Sequence, residues 1–172
     1  MNRLLLAAVL SLLTATSAVA QTVILVRHAE KADASSDPVL SEAGQRRAMD
    51  LAVALSDADL THVFTSPLQR TVLTARPAAQ AHALNPEVVS FEGGTDAHVR
   101  AVAERVRALP DDAVVLVVGH SNTVPLIAAA LGETGPSEMA ECEYDRMTVI
   151  SVEEDGDSPS VIGRYGAPAN CE

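Results

Sequence analysis

VILVRHAE, residues Val23 to Glu30, is an apolar run that stops abruptly at Arg27 and His28. AVVLVVGHSN, Ala113 to Asn122, repeats the arrangement, with a second apolar run delivering His120 into Gly119, Ser121 and Asn122. Two strands each end in a histidine. As parallel strands of one open sheet, they bring their carboxyl ends to a single edge, where α/β proteins place their chemistry.

Working outward, short β-branched runs alternate with longer Ala-rich segments of helical period, the pattern of a sheet covered by crossover helices. The runs predict strands at Val23–Val26, His62–Thr65, Val88–Phe91, Val114–Val118, Thr148–Val152 and Val161–Arg164. Ser41 is placed to cap a first helix from Glu42 to about Leu55, with Ala48, Leu51, Ala52 and Leu55 on one apolar face. A second helix begins near Pro67, carries Arg70 in its first turns and meets a potential kink at Pro77. A third runs from about Asp96 to Leu109 and stops at Pro110. The fourth follows Ser121, with Pro125 tolerated in its opening turn and Ser121 or Asn122 as its cap. The expected fold is therefore α/β: a single three-layer domain with a mostly parallel central sheet of about six strands and helices on both faces. At 172 residues and 48% hydrophobic composition, the chain can bury one real core and is short for two.

Met1 to Ala20 holds one basic residue, the apolar stretch LLLAAVLSLL and then Ala18-Val19-Ala20, which together read as a signal peptide cut after Ala20. Residues 21–172 are then the mature domain, expected in a bacterial periplasm or outside the cell. The apolar stretch is well short of the roughly 20 residues that span a bilayer, so no stable membrane insertion is expected after cleavage. Cleavage removes Arg3 and no acidic residue, so the formal charge moves from −11 to −12. Such a balance disfavours nucleic acid, which needs clustered Lys and Arg to displace counterions. Screening limits the global field to roughly 8 Å, so local arginines can still bind an anion. Cys142 and Cys171 both lie in the exported part, where a disulfide can form and persist; their spacing alone leaves the choice between a bridge and two free thiols open.

The expected topology collects three strand-to-helix loops at one edge: Arg27-His28, Ser66 to Arg70, and His120-Ser121-Asn122. Two guanidiniums offer planar forks that match phosphate oxygens, and with a second imidazole they make a site for a tetrahedral dianion. A neutral imidazole in line with phosphorus can act as nucleophile, splitting one difficult displacement into two easier ones. His28 is assigned that role. The leaving oxygen needs a proton, which a positioned acid supplies for about 10²- to 10⁴-fold. Glu30, close to His28 in the sequence, is one candidate for it. Glu30 and Lys31 otherwise read as a loop ion pair, and Ser121 and Asn122 as possible ligand contacts. His62, His82 and His98 have no comparable company.

With those residues in view, the chain resembles the histidine phosphatase superfamily, also called phosphoglycerate mutase-like. The motifs that carry the resemblance are LVRHAEK around His28, LSEAGQRRA on the first helix, TSPLQRTVLTA around Arg70, VVGHSNTVP around His120, and EYDRMTV near the end. The resemblance implies that His28 is phosphorylated, that Arg27, Arg70 and His120 form the phosphate pocket, and that no metal or other cofactor takes part. It also implies an acid just after the third strand, where Glu92 in FEGGTDAH is the first choice and Asp96 the second, with Glu30 third. The expected partner is a small phosphomonoester, for example an envelope sugar phosphate. The chain leaves little room for the lid insertion of the longer mutases.

Other readings fit less well. Asp57-Ala58-Asp59-Leu60-Thr61 matches the D-x-D-x-T signature of magnesium-dependent phosphatases, but Leu51 to Ser56 before it continues a helical period instead of a buried strand. Cys142 and Arg146 have three residues between them where a phosphate-cradling cysteine loop needs five. No convincing zinc ligand cluster is present. A non-catalytic phosphate- or phosphoprotein-binding module would keep the pocket and turn nothing over; the presence of His28 argues against it.

Overall fold

The computed structural model describes residues 20–135, 138–153 and 156–171, so nearly all of the leader lies outside the described residues. The chain runs β1 (Gln21–Arg27), α1 (Glu42–Ala54), β2 (His62–Thr65), α2 (Gln69–Ala81), β3 (Glu87–Val88), α3 (Thr95–Arg107), β4 (Val114–Gly119), α4 (Val124–Ala130), β5 (Arg146–Val152) and β6 (Ser160–Arg164). These strands form one sheet in the order β3-β2-β4-β1-β5-β6. β1, β2, β3 and β4 pair parallel, whereas β5 is antiparallel to both β1 and β6. One strand is reversed, and the consequence is spatial: the segment that enters β5 arrives at the same edge where β1, β2 and β4 end.

Both faces of the sheet are covered, which explains why Val23–Val26 of β1 and Val114–Val118 of β4 are apolar without alternation. Ile24, Val26, Leu116 and Val118 pack against Leu51 of α1 and Ala75, Ala78 and Ala79 of α2. Val23, Leu25, Val115 and Val117 face the other way, against Val99, Val102 and Val106 of α3 and Ile127 and Ala128 of α4. Among the described residues, no helix is long and apolar enough to cross a membrane.

Local sequence explains the element ends. The Ser41 side chain accepts from the Gly44 N–H at 3.1 Å and opens α1 as expected. Gly44 also lets α1 ride directly over the β1 exit, since a Cβ there would stand 2.2 Å from the Glu30 carbonyl oxygen. Pro77 sits inside α2 without ending it. β3 is shorter than expected: only Glu87 and Val88 pair with β2, and after the Val89 N–H donates to the Thr65 carbonyl the chain turns, with Ser90 Oγ accepting from the Glu92 N–H. The expected cap of α4 is also corrected. Thr123, not Ser121 or Asn122, occupies the cap position, and its hydroxyl accepts from the His120 N–H at 2.9 Å instead of from the helix. Cys142 and Cys171 are bridged, with their Cα atoms 5.3 Å apart, so the C-terminal tail is fastened to the loop that leads into β5.

Candidate active site

Arg27 on β1 stands in register with Gly119 on β4, so the next residue of each strand emerges beside the other. Those residues are His28 and His120. Their ring centroids are 5.3 Å apart at 61°, close to the roughly 4.8 Å that separates neighbouring strands. His28 is 3% exposed and His120 7%, so both imidazoles are almost wholly withdrawn from water.

The hydrogen bonds fix the proton on each ring. His28 Nδ1 lies 2.8 Å from the Ala29 carbonyl oxygen; a carbonyl only accepts, so Nδ1 carries the proton and Nε2 keeps its lone pair. Burial pushes the His28 pKa down to about 4 from its ordinary 6.5, with Arg27, Arg70 and Lys31 adding to the effect against the opposing Ala29 bond. The ring is therefore neutral near pH 7. For His120 the reasoning runs through two hydroxyls. Thr71 Oγ1 donates to the Leu68 carbonyl at 2.8 Å, so it has no further proton to give and accepts from Ser66 Oγ at 2.9 Å. Ser66 Oγ, its own proton committed, accepts from His120 Nε2–H at 3.0 Å. Burial, then His28, Arg70, His98 and Arg27, take the His120 pKa down to about 3.

Two guanidiniums complete the edge. Arg27 is 2% exposed; its Nη1 donates to the carbonyls of Ala140 and Glu141, its Nη2 to the Glu141 carboxylate at 2.7 Å, and its Cζ lies 4.3 Å from the Tyr144 ring centroid. Arg70, on the first turn of α2, donates Nη1 to the Ser36 carbonyl at 3.4 Å and stands 4.0 Å from Asp37. Asp37 Oδ1 also accepts from Gln69 N–H at 2.8 Å, supplying the cap that Leu68 cannot give to α2. The β1–α1 loop thus seats Arg70. Among the described residues, the Nε of neither arginine has a hydrogen-bond partner.

A cavity of about 240 Å³ opens between these groups, lined by Arg27, His28, Arg70 and His120 together with Ser121, Asn122, Lys31, Leu68, Phe91, Thr95 and Glu141. Six of the nine residues singled out from the sequence therefore meet in one place. The three acid candidates do not line it. Glu30 pairs instead with the buried Arg47, whose Nη2 and Nε donate to it at 2.7 and 2.9 Å, so Glu30 and Lys31 are not the ion pair expected from the sequence. Asp96 borders a separate groove beside Arg100 and Leu126. Glu92 is exposed on a loop whose Phe91 and Thr95 reach the cavity while it does not. The carboxylate on the wall is Glu141, and the Ser121 hydroxyl and then Arg27 hold its pKa below the usual range against the opposing effect of burial. Glu141 and Tyr144 escaped sequence reading because reversal of β5 is what carries their loop to this edge. Among the described residues, no cluster of three or more His, Cys, Asp or Glu is placed to hold a metal ion.

Fold and site together define an α/β domain with a pocket lined by two histidines and two arginines at the carboxyl edge of its sheet. The sequence profile of the histidine phosphatase superfamily (branch 1) matches residues 23–91, which contain Arg27, His28 and Arg70. Over that stretch, which is less than half of its length, the chain is similar to that superfamily. Over 73 residues it is 44% identical to phosphoserine phosphatase 1 of Hydrogenobacter thermophilus, covering 38% of this chain and 34% of that protein, so the match spans about a third of the relative's length. The solved structure of the protein histidine phosphatase SixA with tungstate has a TM-score of 0.65 at 23% identity, covering 81% of this chain and 94% of that one. A mycobacterial glucosyl-3-phosphoglycerate phosphatase gives 0.64 at 15%, covering 86% of this chain and 100% of the other. At such identities these structures establish the shared fold.

Proposed function

We propose that this protein is a phosphomonoesterase that passes the phosphoryl group through His28. The observation that carries the reading is the Nδ1 to Ala29 carbonyl bond at 2.8 Å, which leaves a neutral imidazole with a free Nε2 lone pair in a cavity with two guanidiniums. In the first step Nε2 attacks phosphorus, the bond from phosphorus to the alcohol oxygen breaks, and that oxygen takes up a proton. In the second, water attacks phosphorus and gives a proton back to the acid that protonated the alcohol, while the P–N bond breaks and its electron pair returns to Nε2. Arg27 and Arg70 donate to the equatorial oxygens; the bound dianion raises the His120 pKa, so the ring takes a second proton on the nitrogen not bonded to Ser66 and donates it to the same group, with Ser121 and Asn122 lining the pocket around it. The guanidiniums supply the positive charge that a metal would otherwise provide, so the reaction is metal-independent.

For the leaving oxygen's proton we assign Glu92, exposed on the loop between the lining residues Phe91 and Thr95 and beside Gly93 and Gly94, whose φ of 86° and 87° suits glycine. Replacing Glu92 by Gln should slow an alkyl phosphate by about 10²- to 10⁴-fold and a nitrophenyl phosphate far less, because an aryl oxide leaves without protonation. Unchanged alkyl turnover would remove Glu92 from the mechanism.

At about 240 Å³ the cavity is smaller than the roughly 300–1,000 Å³ of sites that enclose a drug-sized ligand, which suits a phosphoryl group with the rest of the alcohol outside. Phosphoserine and glucosyl-3-phosphoglycerate, named in the relatives' activities, are of this small-phosphomonoester kind, as is a sugar phosphate of the cell envelope. The leader-like Met1 to Ala20 and the Cys142–Cys171 bridge support export to the periplasm. A mature chain beginning at Gln21 in a periplasmic fraction is the expected result; a cytosolic chain retaining Met1 would refute it. The activity test is a phosphomonoester panel with chelator present, alongside His28→Ala. Turnover with chelator and none in the variant is expected; loss with chelator, or activity in the variant, overturns the reading.

A further inference from the structure

The Glu141 carboxylate already occupies donors that a phosphoryl group needs. It accepts from Arg27 Nη2 at 2.7 Å and from the Ser121 hydroxyl, and all three residues line the cavity. One explanation is that Glu141 holds Arg27 in place. The remaining contacts of Arg27 argue otherwise: its Nη1 is anchored by the main-chain carbonyls of Ala140 and Glu141, and its Cζ is covered by the Tyr144 ring at 4.3 Å. Those anchors do not depend on the carboxylate, and the loop that bears them is fastened through the Cys142–Cys171 bridge. The Glu141 side chain itself is 81% exposed while its partner Arg27 is 2% exposed. It can swing into solvent about its own side-chain torsions with the backbone, and hence Arg27, left where they are.

We propose that Glu141 is a displaceable counter-ion of the pocket, which competes with phosphoryl oxygens for Arg27 Nη2 and Ser121 Oγ. It neutralises the buried guanidinium in the empty site, yields to the incoming phosphoryl group, and returns to Arg27 as inorganic phosphate leaves. Its effect is to weaken retention of product. This deepens the phosphoryl-pocket reading above and rests on it.

The test is calorimetric titration of inorganic phosphate into the full mature chain and its Glu141→Gln and Glu141→Ala variants, each checked for unchanged thermal unfolding. An ion pair with one exposed partner is worth up to about 1 kcal/mol, so freeing Arg27 from it should tighten phosphate binding by up to about fivefold in both variants, with matching increases in product inhibition. A structure with bound tungstate should show the Glu141 carboxylate moved off Arg27. Phosphate binding that weakens or stays the same in both variants overturns the proposal, as does a tungstate complex that retains the pair. The titration needs no turnover, so a protein that binds phosphate but hydrolyses no ester fails the enzymatic reading and leaves this one standing. If neither wild type nor variants bind phosphate, both fail.

Discussion

Replacing Ser66 by Ala removes one oxygen from the buried chain that orients His120. Ser66 Oγ sits 2.9 Å from Thr71 Oγ1, 3.0 Å from His120 Nε2 and 3.3 Å from the Leu68 nitrogen. Thr71 loses nothing essential, because it still donates to the Leu68 carbonyl. Two donors lose this acceptor, the half-buried Leu68 N–H and the His120 Nε2–H, the latter in a residue 7% exposed. An orphaned buried donor costs about 1–3 kcal/mol. In the free variant His120 can escape part of that cost by rotating or shifting its proton to Nδ1, but the doubly protonated ring that binds the phosphoryl group keeps its Nε2–H and leaves it unpaired. The cost therefore reappears as a loss of kcat/KM, and at 1.36 kcal/mol per decade it amounts to about 5- to 150-fold. The assay is kcat/KM on an aryl phosphate, with thermal unfolding in parallel. A variant within twofold of wild type would refute the tautomer reasoning. So would a variant that loses stability in full and no activity.

Three further outcomes follow from the same structure. Followed by NMR, His28 should titrate near pH 4, and a midpoint near 6.5 would contradict its burial as the main cause. Because the folded pKa values of His28 and His120, about 4 and about 3, lie below the unfolded value of 6.5, the unfolded chain takes up protons first; stability present above pH 6.5 is lost as the pH falls toward 4 and below, and unfolding free energy measured across that range should fall with a slope approaching two protons. Cys142 and Cys171 are separated by 29 positions, so the double Ser variant should lose roughly 3–4 kcal/mol and about 6–16 °C in Tm, and identical melting with and without reductant would exclude a stabilising bridge.

The fold was legible because two physical signals coincide in this chain. Val23–Val26 and Val114–Val118 are apolar throughout, as strands between two helical layers must be, and both stop at a polar residue where the sheet edge begins. Ser41 before an amphipathic period was enough to start α1. Arg27, His28, Arg70 and His120 were legible for the same reason: each follows a strand whose direction is set by its crossover helix. The misses have other causes. Glu141 meets Arg27 across 114 positions, and only the reversed β5 places it there. Glu30 turns from the site because Arg47, one helix away, offers it a buried bidentate fork. Thr123 serves the His120 backbone instead of α4, so the two polar residues before it were credited with a cap they do not make. Glu141 and Glu30 depend on partners 114 and 17 positions away, and Thr123 on a local choice between two N–H groups; hydrophobic periodicity encodes none of these.

The central claim is that His28 Nε2 becomes covalently bonded to phosphorus during turnover. The direct measurement is to mix the mature protein with an aryl phosphate, quench in base, where a phosphohistidine survives, and locate the added phosphoryl group by mass spectrometry of the digested chain. The account predicts the group on His28 and its disappearance in His28→Ala. A phosphoryl group found on any other residue, or rapid hydrolysis with none trapped on the chain, would contradict it.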